Sequence, residues 1–347
     1  MSRPLPAFAT RPPVLHVDYV PADDPRSLLK DDTILAAFGF GNAAPSQPDP
    51  RWLRVPLQPY LDPTLPIASQ VRYELWRGNA PVGYGRDGDI AWSTDGDLLF
   101  GAIEVDEADI GITAAARHAY ARLTEFVRAS DTPHLLRVWN YLDAITLGEG
   151  DTERYRKFCI GRAQGLGDAT DTTYFPAATA IGRCDDARVI QVYWLAARSP
   201  GTPLENPRQV SAYRYPRQYG PQPPSFARAM LPPTMRMPLL LSGTAAVVGH
   251  ASRHAGELQA QLDETFRNFD ALVAVARRQR PDLPKQFGAG TRLKIYVRDH
   301  HNLPQVARAL RTRLDDAVPR ILLHAAICRR ELAVEIDGVH SAGGDAV

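Results

Sequence analysis

Between residues 98 and 337 the chain writes the same order of elements twice. Leu98, Leu99, Phe100, Gly101, Ala102, Ile103 and Val105 read as a strand with a glycine inside it. A helix follows over 113–130, with Ala116, Tyr120, Leu123 and Val127 on one face. Leu135 to Tyr141 is a strand, 152–164 a helix, and 175–182 and 188–196 are two further strands. The second half starts over with another glycine-bearing strand, Leu239 to Ala245, with Gly243 inside. A long helix over 255–279 turns Leu258, Leu262, Phe266, Phe269 and Val273 to one side. Then come a strand from Leu293 to Val297, a helix over 303–315, and strands over 321–327 and 332–337. This repeat is the mark of duplication and limits the fold more than any single motif. The fold class it implies is α+β: two duplicated units, each a mixed sheet with its helices packed on one face.

The segments around the two units are rich in proline. The first 66 residues hold 13 prolines, which excludes long helices and favours extended or turn-rich chain. They also carry Val14, Leu15, Tyr19, Ile34, Phe38, Phe40 and Trp52, too much apolar content for a disordered tail. The reading is an irregular N-terminal arm over 1–66, packed on the body and frayed over its first dozen residues. The first unit covers 67–198, the second 239–340, and 341–347 is a flexible tail. The connection over 199–238 holds ten prolines, and a connection of that length is usually functional. In it Tyr213, Tyr215 and Tyr219 alternate with Arg214 and Arg217, and Ser225-Phe226-Ala227-Arg228 follows. Rigid rings, hydroxyls and guanidinium forks suit a small ligand with carboxylates. They equally suit a packing loop whose tyrosines plug the junction between the units.

Bulk properties close off several classes of function. The formal net charge of +1 argues against a binder of nucleic-acid backbones, which carries a basic surplus. There is no run of about 18 apolar residues to span a membrane, and no apolar segment behind Met1-Ser2-Arg3-Pro4 to act as a secretory signal. Cys159, Cys184 and Cys328 are far apart and odd in number, with neither disulfide nor metal spacing. A reduced, cytoplasmic setting is expected. No dinucleotide or phosphate-loop motif is present. His250 and His254 lack the glutamate of a metal-binding pair and read as residues of a helix start, while His300-His301 reads as a turn. No cofactor or metal is expected.

The last strand carries the most informative polar residue. Val334 and Ile336 bury one face, so Glu335 turns to the other. A carboxyl there is either solvent-face dressing or a proton donor aimed into a cleft. Gly243 is a bulge glycine or a place where a missing Cβ leaves room for a ring. Cys328, seven residues before Glu335, reads by itself as a small buried residue. Arg154 and Arg162, eight apart, fall on one face of their predicted helix, with Arg156 pointing elsewhere.

The second half resembles the YjgF/RidA family on two features. One is Leu241-Ser242-Gly243 before a long amphipathic helix. The other is Pro319-Arg320 followed fifteen positions later by Glu335. Over about residues 50–340 the chain resembles a narrower group, the chorismatases (chorismate hydrolases or 3-hydroxybenzoate synthases). The segments that carry this are Arg137-Val138-Trp139-Asn140-Tyr141, Glu153 to Arg162, Ser211 to Arg217, and Ser242-Gly243-Thr244-Ala245 paired with Cys328-Arg329-Arg330-Glu331-Leu332. The resemblance implies YjgF/RidA-like (chorismate-mutase-like) units joined in one chain. It also implies cleavage of chorismate to pyruvate and hydroxybenzoate without a cofactor. The type most similar is the bifunctional one of bacterial aryl-polyene pigment and ubiquinone supply, which makes 3- and 4-hydroxybenzoate.

On that resemblance Glu335 is the acid that protonates the enolpyruvyl methylene, and Cys328 steers the product. Substrate binding is expected from Tyr155, Tyr213, Tyr215, Gly243, Arg137, Arg162, Arg217 and Arg320, with Arg156 a further candidate for the two carboxylates. The expected partner is the small molecule chorismate, with no nucleic acid, no membrane and a monomeric chain. Two other readings stand beside this one. One is a YjgF/RidA-like imine hydrolase and the other is a non-catalytic small-molecule-binding module.

Overall fold

The computed structural model describes residues 13–21, 25–66, 70, 73–167 and 175–342. The N-terminal segment, expected to be irregular, is more ordered than that. It forms β1 (His16–Val20), the short helix α1 (Pro25–Leu28), β2 (Ile34–Phe40), β3 (Trp52–Val55) and β4 (Gln58–Pro59). With β5 (Tyr73–Arg77) the first three strands make a four-stranded sheet in the order β1-β5-β2-β3. Its prolines fall largely between strands, and every residue of β2 is buried, which is why the segment orders. The sheet crosses the expected boundary at residue 66. The first dozen residues and all but the first two of the expected tail lie outside the described residues.

The first unit contains β6 (Gly83–Asp87), β7 (Ile90–Thr94), β8 (Leu98–Asp106), α2 (Gly111–Ala129), β9 (His134–Asp143), α3 (Arg154–Leu166), β10 (Ala177–Arg183) and β11 (Val189–Ala197). The connection contributes β12 (Thr202–Leu204) and β13 (Ala229–Leu231). The second unit contains β14 (Leu239–Ala245), a small hairpin of β15 (Val247–Val248) and β16 (Ala251–Ser252), and α4 (Leu258–Gln279). It continues with β17 (Thr291–Val297), α5 (Leu303–Arg313), β18 (Arg320–His324), β19 (Ala326–Ile327) and β20 (Val334–His340).

The two seven-stranded sheets repeat each other position by position. The first runs β19-β10-β9-β11-β8-β7-β6 and the second β4-β18-β17-β20-β14-β13-β12. In each, the glycine-bearing strand pairs with the last strand of its unit, and the two middle strands, β9 with β10 and β17 with β18, are the parallel pair. Each sheet is extended by an antiparallel strand pair at one edge and closed at the other by a strand from elsewhere in the chain. The pairs β6–β7, a hairpin, and β12–β13, joined by the long connection, were not expected from the sequence. The predicted strand over 321–327 is two strands, β18 in the second sheet and β19 in the first. The chain leaves one sheet for the other at Ala325.

Alternation along the strands builds three apolar layers. Trp139, Tyr193, Leu240 and Leu323 meet between the two sheets, joined by Phe38 and Trp76 of the N-terminal sheet. Outside the first sheet, Val138, Val192 and Trp194 pack under α2 and α3. Outside the second, Ile295, Val334 and Ile336 pack under α4 and α5. The helices therefore lie on one face of each sheet, as the repeat implies. Ile112, Ala116, Ala119, Tyr120, Leu123 and Val127 give α2 its buried stripe. Among the described residues, no helix is long and apolar enough to cross a membrane.

Candidate active site at the seam of the two sheets

Where β10 meets β14 the two units touch without forming a continuous sheet. The Ala178 amide donates to Ser242 Oγ at 2.9 Å, and that hydroxyl donates to Ala227 O at 2.6 Å. β19 pairs with β10 through Ile181–Ile327 and Gly182–Ala326, which carries Cys328 from the second unit to the edge of the first. Beside this seam opens a cavity of about 460 Å³. Its floor is Thr179 of β10, Gly243 of β14 and Glu335 of β20. Tyr155 and Arg162 enter from α3, Tyr215 and Arg228 from the connection, and Cys328 and Arg329 from the segment after β19.

Glu335 lies on the face of β20 opposite Val334 and Ile336, as its place in the alternation requires, but that face is closed by the other sheet. The residue is only 5% exposed. Burial raises its carboxyl from the ordinary range to about 8, and the neighbouring Asp337 adds to this, while Arg137, Arg228 and Arg329 oppose it. The inner seam already holds two balanced buried pairs, Lys294 with Glu74 at 2.8 Å and Arg137 with Asp337 at 3.2 Å. A neutral Glu335 leaves that balance undisturbed. Cys328 Sγ stands 4.0 Å from Glu335 Oε2. Burial, and then the carboxyl beside it, push the Cys328 thiol far up, so it is a neutral thiol at any ordinary pH.

The β14–β20 pairing breaks between Leu241 and Thr244, and Gly243 sits in that bulge. A Cβ built on Gly243 would overlap the Glu335 carboxyl. The bulge reading of this glycine is what the structure shows, and the space its missing Cβ leaves holds the Glu335 carboxyl.

Five arginines line the cavity: Arg156, Arg162, Arg228, Arg329 and Arg330. Arg162 donates to Ser225 O at 2.6 Å and lies over the Tyr120 ring. Arg228 donates to Tyr215 OH at 2.7 Å and to Val210 O at 2.8 Å. Arg329 donates to His250 O at 2.8 Å and stacks on Tyr219 at 4.1 Å. The buried Nε–H groups of Arg156, Arg162 and Arg228 have no hydrogen-bond partner among the described residues. Glu149, Glu153 and Glu331 also reach the lining.

Of the residues expected at the site, Glu335, Cys328, Tyr155, Tyr215, Arg162 and Gly243 line this cavity and four do not. Arg137 is buried behind it, bound to Asp337 and to Leu241 O at 3.0 Å and stacked on Trp139 at 4.2 Å. Arg320 starts β18 on the far side of the second sheet, within 3.4 Å of Asp315 O and Val318 O. Arg217 is on the exposed rim, paired with Asp151 at 2.9 Å. Tyr213 packs on Phe175. Arg154, expected to share a face with Arg162, instead pairs with Glu107 and donates to Asp143 O at 2.9 Å, while Arg156 reaches the cavity. His250 lies between β15 and β16 and not on the helix, bonded to Tyr219 OH. Arg228, Arg329, Tyr219, Phe226 and Thr179 line the cavity without having been singled out as site residues. Arg228 and Arg329 lie inside two of the quoted segments, Ser225 to Arg228 and Cys328 to Leu332. Membership of those segments is the signal that could have found them.

Comparison with known proteins identifies the family. Residues 74–196 match the family model described as chorismatase FkbO/Hyg5-like, N-terminal. A chorismatase of Streptomyces hygroscopicus is 35% identical over 272 residues, covering 77% of this chain and 78% of that protein. A 3-hydroxybenzoate synthase of the same organism is 33% identical over 276 residues, covering 77% of this chain and 80% of that one. A crystal structure of a chorismatase superposes with a TM-score of 0.81 at 30% identity, over 96% of this chain and 100% of the other. The chain belongs to the chorismatase family, and its α+β fold of two repeated units is that of the solved chorismatase.

Proposed function

We propose that this protein cleaves chorismate to pyruvate and hydroxybenzoate in the seam cavity, with Glu335 as the general acid. The observation that carries the reading is a carboxyl kept neutral by burial at the floor of a cavity lined by five arginines. Chorismate has two carboxylates, a cyclohexadiene ring and an enolpyruvyl ether. Arg162, Arg228 and Arg329 have the charge and the planar donors to hold the carboxylates. The Tyr215 hydroxyl accepts from Arg228, so its own proton is free to be donated into the cavity.

Glu335 gives its proton to the methylene carbon of the enolpyruvyl group. The double-bond electrons form the new C–H bond, and the ether oxygen stabilises the cation left behind. The ring C–O bond then breaks, and its electron pair goes to the oxygen of the departing pyruvate. The ring cation loses a proton to the Glu335 carboxylate, which restores the acid and makes the ring aromatic. No water is consumed, since hydroxybenzoate and pyruvate together contain the atoms of chorismate. Loss of the proton at the hydroxyl-bearing carbon gives the 4-isomer. The 3-isomer needs the hydroxyl oxygen to move to the neighbouring carbon first. Cys328, a neutral thiol beside Glu335, forms the wall that governs which of these happens.

The test is pyruvate release from chorismate by purified protein, coupled to lactate dehydrogenase, with the aromatic products separated by chromatography. Pyruvate in step with hydroxybenzoate is the expected result. Unchanged chorismate would overturn the reading.

A further inference from the structure

Behind Glu335, away from the cavity, stands a second carboxyl group that the proton transfer leaves untouched. Asp337 is two residues further along β20, on the same face, and fully buried. Its Oδ2 accepts from Thr179 Oγ1 at 2.7 Å, Tyr296 OH at 2.9 Å, Trp139 Nε1 at 3.0 Å and Arg137 Nη2 at 3.2 Å. Four donors converging on one oxygen hold this carboxyl group rigidly. Of the four, Thr179 is the one whose residue also lines the cavity.

The Thr179 hydroxyl is fully used. It donates to Asp337 and accepts from Arg137 Nη2 at 2.5 Å and from the Gly243 amide at 3.0 Å. One donor and two acceptor sites are filled, so its direction is fixed. Its bond to Gly243 N holds the bulge of β14, and that bulge is the surface against which the Glu335 carboxyl rests. A continuous line of contacts therefore runs from Asp337 through Thr179 and Gly243 to Glu335. We infer that Thr179 and Asp337 are positioning residues for the acid, the Asp337 carboxylate fixing the Thr179 hydroxyl and the hydroxyl fixing the backbone that places Glu335. The inference rests on the reading of Glu335 as the proton donor.

Asp337 also acts through space. The charged groups that face Glu335 are Asp337 on its own strand, Arg137 from β9, Arg228 from the connection, Arg329 after β19 and Arg298 after β17. Cys328 and Tyr155 face it as neutral groups. Asp337 is the like charge in this set, and Arg137 is already bound to it.

The test uses the full chain and two kinds of variant. Thr179→Val keeps the shape of the side chain without its hydroxyl, and Thr179→Ser keeps the hydroxyl. In pyruvate release, Thr179→Val lowers kcat by about tenfold or more with KM little changed, and Thr179→Ser restores most of the loss, because a displaced acid affects the chemical step. A raised KM at unchanged kcat would make Thr179 a substrate ligand, and a Thr179→Val enzyme with normal kinetics would leave it no role. Either result overturns the inference.

A second readout does not need turnover. In protein labelled with ¹³C at the glutamate carboxyls, the Glu335 resonance is identified by its absence in Glu335→Gln. Its titration midpoint moves down in Asp337→Asn, where the like charge is gone. Its chemical shift is displaced in Thr179→Val and kept in Thr179→Ser. A resonance unmoved in all of these overturns the inference even if chorismate proves not to be the substrate. Loss of activity in Glu335→Gln beside a fully active Thr179→Val leaves the proposed function standing and removes the positioning claim alone.

Discussion

The last strands of the two units, β11 and β20, hold the same place in the topology and turn their inner faces to different ends. Along β11 the buried residues of the inner face are Gln191, which donates to Arg54 O at 3.0 Å, and then Tyr193, Leu195 and Ala197 of the central apolar core. Along β20 they are Glu335, Asp337 and Val339. The partner strands differ in step. β8 pairs with β11 through nine unbroken positions, and a Cβ on Gly101 would overlap the Trp194 indole, a core ring under the helices. β14 pairs with β20 across a bulge, and a Cβ on Gly243 would overlap a carboxyl at the cavity floor. One copy of the unit is packed for stability. The other keeps buried carboxyl groups that cost stability and that, on the proposed function, serve proton transfer.

The sharpest way to break this comparison is to neutralise the acid. Glu335→Gln should lower kcat for pyruvate release by about a thousandfold, within the usual range for a general acid, while circular dichroism stays that of the native chain. A variant that keeps wild-type turnover would return β20 to the same structural role as β11. Next in size is the same substitution made in both units. Gly243→Ala pushes on the Glu335 carboxyl and should cost about a hundredfold in kcat with a modest change in melting temperature. Gly101→Ala pushes on the Trp194 ring and should destabilise the chain by roughly 1–3 kcal/mol while folded enzyme keeps its kcat. Matching losses from the two changes would erase the distinction.

A smaller effect is expected from the arginines. Arg228→Met should raise KM for chorismate by roughly ten- to a hundredfold, as loss of a charge-assisted contact does. Arg320→Met, on the far side of the second sheet, should leave KM where it was. A separate effect is on stability. Folding raises the Glu335 carboxyl from about 4.5 to about 8. Below the lower value both folded and unfolded chains hold the proton. Between the two values the folded chain keeps a proton that the unfolded chain has released, so stability falls as pH rises, and above the upper value the loss is complete. Glu335→Gln lacks this loss, so thermal melts should show its advantage over the wild type growing from pH 5 to pH 8.5. An advantage that shrinks with rising pH would contradict the burial.

Much of this architecture is legible in the sequence, because its signals are local. Glycine-bearing strands and apolar stripes such as Leu258, Leu262, Phe266 and Phe269 mark the elements without knowledge of their neighbours. The alternation of Val334, Glu335 and Ile336 places the acid on the correct face. What that face meets is not local. Arg137 reads as a ligand-binding residue because its partner, Asp337, is 200 positions away. Arg320 reads as one by its spacing from Glu335, although β18 turns it away from the seam. Arg228 and Arg329 reach the cavity only because β13 zips against β14 and the chain crosses between sheets at β19, and neither event has a periodic signature. The N-terminal sheet was hidden for the same reason: β2 pairs in parallel with β3 and antiparallel with the more distant β5, through prolines that read locally as irregular.

The most direct measurement is the pH dependence of kcat/KM for pyruvate release from chorismate, for the wild type and Glu335→Gln side by side. Wild-type activity should hold through neutral pH and fall about tenfold per unit above about pH 8, as Glu335 loses its proton, with the small residual activity of the variant showing no such fall. A wild-type profile that stays level well past pH 9, or a variant that reproduces the wild-type curve, would contradict Glu335 as the proton donor.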